Sequence, residues 1–187
     1  RTLERTGQRE NTIIFFLGDN GATTEPRAGL HSQPATAGRN GVFRGFKFSV
    51  FDGGMHVPAI VSWPGVIPKS QSLNEIVMSA DILPSICKAA GVSPPEDRTI
   101  DGRDALPVAA SHAKSPHDEL FWANGQQLAI RRGKWKLVMN GIEYGRTQES
   151  KKAFTGDDAM FLSDLDQDPG EKRNLRHQHA GLVDELS

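Results

Sequence analysis

The apolar run Ile13-Ile14-Phe15-Phe16-Leu17, bounded by polar residues, predicts a buried strand in a parallel sheet. A second run, Val57-Pro58-Ala59-Ile60-Val61-Ser62-Trp63, closes at Pro64-Gly65 and predicts another short strand, with Pro58 at its start where no central ladder bond is lost. Ile76-Val77-Met78 is a further brief apolar run. After it, Ile82, Leu83, Ile86 and Ala90 recur at three- and four-residue spacing and predict a helix stopped by Gly91. Asp81 is the expected N-cap, because that choice places Pro84 in the first turn, where its missing N–H had no helical partner. The stretch from Ser93 to Lys114 is rich in Pro, Asp and Ala, with a predicted turn at Asp101-Gly102-Arg103-Asp104. Leu128–Arg131 and Trp135–Val138 then flank Arg132-Gly133-Lys134 as strand, turn and strand. Phe161–Leu165 is followed by Asp166-Gln167-Asp168-Pro169-Gly170-Glu171-Lys172-Arg173-Asn174-Leu175.

Chemistry enters directly behind the first strand. Asp19-Asn20-Gly21 offers a carboxylate and an amide oxygen at a strand's carboxyl end, where open α/β folds gather ligands. Oxygen donors select calcium or magnesium, although two are too few for either ion. A hairpin turn is the alternative reading of these residues, but the following Ala22–Gly29 stretch lacks the alternation of a returning strand. A second cluster runs from Phe43 to Pro58. Lys47 offers a point charge suited to an anionic oxygen, and Gly53-Gly54 permits close backbone approach at a sharp bend.

Taken in order, strand, Asp-Asn-Gly, loop, Lys and then Phe51-Asp52-Gly53-Gly54-Met55-His56-Val57-Pro58 strongly resemble the sulfatase family of the alkaline-phosphatase-like superfamily. The resemblance covers nearly the whole chain and is to the later part of a sulfatase. It implies an α/β fold with a mixed central sheet and helices over residues 1–110, and a small antiparallel subdomain with a helix over residues 111–187. It also implies that Asp19 and Asn20 bind calcium and that the catalytic Lys47 contacts both the sulfate ester and a formylglycine nucleophile. Two departures stand out. Asp52 replaces the usual glutamate, and His56 replaces the usual arginine, so the loop is expected to be held differently. The cysteine or serine followed by x-Pro-x-Arg that yields formylglycine does not occur, and Cys87 lies in the predicted helix without that context. The chain is therefore expected to be a carboxy-terminal portion, inactive alone, whose partner is the missing amino-terminal part of the same enzyme.

His31, in the loop between the metal-ligand pair and Lys47, is a candidate substrate contact, and Arg39 and Arg44 are candidates for an acidic sugar. His112, His117, His177 and His179 lack metal-ligand spacing. Asp164, Asp166 and Asp168 depart from the calcium-loop pattern and are expected to form turns on a solvated face. The expected substrate is a sulfate ester, with sulfated carbohydrate as one class. Two alternatives remain: a phosphodiesterase or phosphatase of the same superfamily, and a noncatalytic sulfatase-like binding protein.

Composition narrows the rest. With 187 residues the chain can bury a core, and its formal charge of -1 argues for no nucleic-acid partner. One cysteine excludes an internal disulfide, and no apolar stretch reaches membrane-spanning length. No signal peptide is recognisable; a periplasmic, secreted or lysosomal location is what the family resemblance implies.

Overall fold

The computed structural model describes residues 1–23, 38–145 and 150–187. Its elements are α1 (Thr2–Arg5), β1 (Ile14–Leu17), α2 (Asp52–Met55), β2 (Ala59–Ser62), α3 (Ile82–Ala90), α4 (Leu106–Ser111), β3 (Glu119–Asn124), β4 (Gln127–Arg132), β5 (Trp135–Met139), β6 (Ile142–Tyr144), β7 (Lys151–Ala153), β8 (Met160–Asp164) and α5 (Ala180–Leu186). They form an α/β chain of two compact units. One comprises Arg1–Leu17 with Ala59–Asp118, and the other Gly18–Pro58 with Glu119–Ser187.

In the first unit β1 and β2 pair antiparallel, with Phe15 opposite Val61 and Phe16 opposite Ile60. Phe15 and Val61 pack on a core of Ile67, Leu106 and Ala109. The opposite face of the ladder is open: Phe16 is 65% and Ile60 64% exposed. The parallel, fully buried strand expected at residues 13–17 is thus corrected for this unit. An unbroken apolar run is the mark of a strand built to be covered on both faces, and among the described residues of this unit only one face is.

Helix α3 begins and ends as the periodicity predicts. Gly91 takes the left-handed conformation (φ 70°) that closes the helix, its N–H and that of Val92 returning to Lys88 and Cys87 carbonyls. Asp81 has a structural role, as expected, but not the expected one. It sits in a short 3-10 turn, itself helical in φ and ψ, and makes no side-chain cap to α3. Its buried carboxylate instead accepts from the Met78 N–H at 2.9 Å and the Arg103 N–H at 2.8 Å, and pairs with His117 Nε2 at 2.7 Å. Helix α4 lies inside the stretch read as linker. Its apolar residues Leu106, Val108 and Ala109 are buried, but Pro107 and the preceding Asp-Gly-Arg-Asp turn masked so short a helical pattern.

The second unit is built on a four-stranded antiparallel sheet in the order β3-β4-β5-β8, with the separate β6-β7 hairpin. Arg132 faces Trp135 across a two-residue turn containing Gly133 (φ 56°), the bend expected from the sequence. The sheet carries two cores. On one face Val50, Phe51, Ala129, Val138, Phe154 and Phe161 cluster; on the other Ile130, Leu137 and Leu162 meet Val183 and Leu186 of α5. Segment 38–58 therefore reaches the candidate site already anchored to the sheet through Val50 and Phe51.

Asp164 and Asp168 do form turns, but not on a solvated face. They are only 6% and 8% exposed. Asp164 accepts from the backbone N–H groups of Asp166 and Gln167 and pairs with Lys134, and Asp168 accepts from those of Lys172 and Arg173.

Candidate functional site

Asp19-Asn20-Gly21, Lys47 and Asp52-Gly53-Gly54 all belong to the second unit and are stitched together by backbone. The Gly21 N–H donates to the Gly54 carbonyl at 2.9 Å, and the Lys47 N–H to the Ala22 carbonyl at 2.8 Å. A Cβ on Gly21 would fall inside the contact radius of the Gly53 carbonyl, and one on Gly54 would strike the Ser49 carbonyl. The glycines are thus required by main chain passing main chain, the reason a sharp bend uses them here.

Sequence reasoning missed Asn40, which completes the stitch. Its Oδ1 accepts from the Ala22 N–H and its Nδ2 donates to the Gly45 carbonyl, each at 2.8 Å. One side-chain amide thus spans the strand-end loop and the lysine loop. Phe48, immediately after Lys47, holds a positive φ of 79°, costly for an aromatic residue. Its carbonyl is held there by Asn124 Nδ2 at 2.7 Å and Gln127 Nε2 at 3.0 Å. Lys47 Nζ lies 5.2 Å from the Phe48 ring centroid, so the strained residue also supports the ammonium group.

The expected metal ligands lie at the surface of this loop. Asp19 is exposed and Asn20 half-buried. Asn20 Nδ2 donates to the Gly21 carbonyl at 2.9 Å, which leaves the amide oxygen as the group available to a cation. The donor chemistry fits a hard ion such as calcium. Among the described residues there is no group of three or more His, Cys, Asp or Glu side chains that could hold a metal. His31 lies outside the described residues. Arg39 is exposed.

Arg44 is neither solvated nor turned to a substrate. Its guanidinium carbon sits 4.8, 4.5 and 5.1 Å from the ring centroids of Phe51, Phe154 and Phe161. The same group donates to Glu143 Oε2 at 2.9 Å and to the Glu171 carbonyl at 2.6 Å. Three apolar rings and a carboxylate explain why an arginine is stable there. The basic residues beside the Gly133 turn are likewise paired in place: Arg132 with Glu119 and Glu185, and Lys134 with Asp164.

Beneath the Gly-Gly bend lies a charged group that the sequence did not reveal. Lys136 is wholly buried, with Nζ 2.5 Å from Asp52 Oδ1 and 3.1 Å from Glu171 Oε1, and Glu171 is as buried as the lysine. Glu171 Oε2 also accepts from the Asp52 N–H at 2.6 Å. Burial alone would push the Asp52 carboxyl up, but the Lys136 charge and hydrogen bonds from His56 and Lys136, with Arg131 Nη1 at 4.0 Å, hold it well below its ordinary range. Burial pushes Glu171 the other way, upward, and the Asp52 charge adds to that push against the pull of Lys136. The bend is also held by His56. His56 stacks on Phe43 with centroids 4.2 Å apart, and its Nδ1 lies 3.3 Å from Asp52 Oδ2.

An α/β chain with an acid–amide pair behind a strand, stitched to a lysine loop over a Gly-Gly bend, keeps in space the order of features on which the family resemblance rests. Comparison with known proteins agrees. The sulfatase family model matches residues 1–92. Steryl-sulfatase of Rattus norvegicus is 38% identical over 124 residues, covering 64% of this chain and 21% of that protein. N-acetylgalactosamine-6-sulfatase of Mus musculus is 34% identical over 203 residues, covering 99% of this chain and 38% of that protein. A solved Bacteroides thetaiotaomicron chain, described with the metabolism of multiple glycosaminoglycans, superposes with a TM-score of 0.78 at 28% identity, over 99% of this chain and 39% of its own. The chain belongs to the sulfatase/alkaline-phosphatase-like superfamily and has its fold. It spans between 21% and 38% of the length of these two curated relatives.

Proposed function

We propose that this chain is the carboxy-terminal portion of a formylglycine-dependent sulfatase acting on a sulfated carbohydrate. The observation that carries the reading is the backbone stitch between the Asp19-Asn20-Gly21 loop and Lys47, which ties a pair of oxygen donors to a cation-bearing loop by direct hydrogen bonds. In this reading the Asp19 carboxylate and Asn20 amide oxygen hold calcium together with donors from outside the chain. Calcium, when bound, supplies positive charge to sulfate oxygens. Lys47 does the same as a point charge, stabilising the negative charge that builds on the ester during displacement at sulfur. The nucleophile comes from outside the chain, so the chain by itself binds and orients but does not turn over. The sugar class is taken from relatives: a 6-sulfatase of N-acetylgalactosamine and a neighbour tied to glycosaminoglycan metabolism both align along 99% of the chain.

The test is sulfate release, by ion chromatography, from the intact enzyme carrying this chain, with sulfated monosaccharides and an aryl sulfate as substrates. Lys47→Ala is expected to cut kcat by roughly 10²–10³, the scale of losing one preorganised charge-stabilising group. Undiminished turnover in that variant, or no sulfate release by an enzyme shown to carry formylglycine, would overturn the reading.

A further inference from the structure

The buried charges lie outside the reacting centre, yet their connections lead to it. Asp52 opens the short helix α2, and both its carboxylate and its N–H are committed: the first to Lys136, the second to Glu171. The next two residues are the glycines on which the site loops rest. Gly53 donates to the Arg44 carbonyl at 2.7 Å, and Gly54 accepts from the Gly21 N–H at 2.9 Å. Glu171 holds the other side as well, because its carbonyl accepts from Arg44 Nη1 at 2.6 Å. Lys136 is on a central strand of the four-stranded sheet, between β4 and β8, and is the rigid end of the linkage. Three segments distant in sequence thus meet at one ammonium group, and the backbone they fix carries the Asp19–Asn20 loop on one flank and the Lys47 loop on the other.

A stability role alone would not require this chemistry. Replacing a buried ion group with apolar residues of similar volume is often neutral or stabilising, whereas directional charge pairs fix one arrangement of the segments that carry them.

We propose that Lys136, Asp52 and Glu171 form a positioning lock that sets the spacing between the Asp19–Asn20 loop and Lys47. The inference rests on the sulfatase reading for what the spacing serves, and on geometry alone for the lock itself. The three residues touch neither substrate nor metal; they act through Gly53 and Gly54.

The experiment has two arms. In the first, amide hydrogen exchange of the intact enzyme is followed at Gly21 and Lys47 in wild type, Glu171→Gln, Lys136→Met and Leu186→Ala. Leu186 is buried in the core on the far face of the sheet and serves as a control that weakens the same unit without touching the lock. The lock predicts exchange faster by about tenfold or more at Gly21 and Lys47 in Glu171→Gln, with no such local gain in Leu186→Ala beyond what its global loss of stability gives. Glu171→Gln keeps the side chain's shape and is the variant relied on if Lys136→Met does not fold. Wild-type protection of both amides in folded Glu171→Gln would overturn the proposal. In the second arm, kcat and the calcium concentration for half-maximal activity are measured on the intact enzyme well below its melting point. Glu171→Gln is expected to lower kcat and raise the calcium requirement, each by about tenfold, with KM changed less, while Leu186→Ala leaves all three near wild type. Unchanged values in Glu171→Gln would again overturn the lock. An intact wild-type enzyme that releases no sulfate would sink the sulfatase reading instead, and the exchange arm would still decide the lock.

Discussion

Replacing Lys136 with Met should be among the most damaging single changes in the second unit. Lys136 is fully buried, and its ammonium faces two carboxylates at 2.5 and 3.1 Å, both themselves buried. Met fills most of the same volume, so little of the loss comes from a cavity. What is lost is the one lysine or arginine nitrogen within 3.5 Å of either carboxylate among the described residues, since the nearest Arg131 nitrogen is 4.0 Å from Asp52 and the other close partner there is the His56 ring at 3.3 Å. Removing one partner of a buried pair costs about 3–5 kcal/mol, because the other charge stays behind unpaired. For a unit of this size, roughly 4–8 °C per kcal/mol applies, so the melting transition should fall by more than about 10 °C. The assay is urea unfolding at pH 7, followed by tryptophan fluorescence and circular dichroism. A triple variant, Lys136→Met with Asp52→Asn and Glu171→Gln, should recover part of the loss by removing the stranded charges, although the Asp52 N–H and its new amide must still find acceptors. A loss under about 1 kcal/mol in Lys136→Met would show that water or a rearranged Arg131 reaches the carboxylates, and the reasoning from burial would be wrong.

The two carboxylates should also separate with pH. Between the lowered folded value of Asp52 and its ordinary 3.8, the unfolded chain binds more protons, so stability falls as pH drops through that window. Glu171 has the opposite sign: between its ordinary 4.5 and its raised folded value the native state binds more protons, so stability rises as pH falls toward 4.5. Urea midpoints across pH 3–7 should therefore pass through a maximum at mildly acidic pH, and Glu171→Gln should remove the rise while keeping the acid loss; a wild-type curve flat from pH 7 to 3 would refute both signs. Gly21→Ala places a Cβ against the Gly53 carbonyl and should cost about 1–3 kcal/mol or more, with the Gly21–Gly54 hydrogen bond broken, as read by hydrogen exchange; wild-type stability would mean the loop yields freely. The purified chain, free of any larger species, should release no sulfate from an aryl sulfate, and sustained turnover would place a nucleophile within these residues.

Much of the architecture was legible because local rules decided it. Helix α3 has a 3.6-residue apolar repeat and ends on a glycine in the left-handed conformation that closes it, and the Gly133 turn is fixed by its two flanking strands. Strand β1 was placed correctly but its surroundings were not, since an apolar run signals cover on both faces and the described residues of its unit supply it on one. The stitched site was half legible. Asp19, Asn20, Lys47 and the glycines announced themselves through order, whereas Asn40, Gln127 and Lys136 carry no local signal: an amide in a loop, or an amide or lysine in a strand, looks like a solvent-facing position until its partner 18 to 84 residues away is known. Arg44 was misread for the same reason, its aromatic cage being assembled from three segments. Glu171, sitting in a Pro-Gly turn, gave no hint that it was as buried as any core residue.

The most direct measurement is a crystal structure of the intact enzyme soaked with calcium and a sulfated sugar. The sulfatase reading predicts calcium bound by Asp19 and the Asn20 amide oxygen at about 2.3–2.6 Å, with Lys47 Nζ on a sulfate oxygen. Calcium bound elsewhere, or a sulfate group seated away from Lys47, would contradict it.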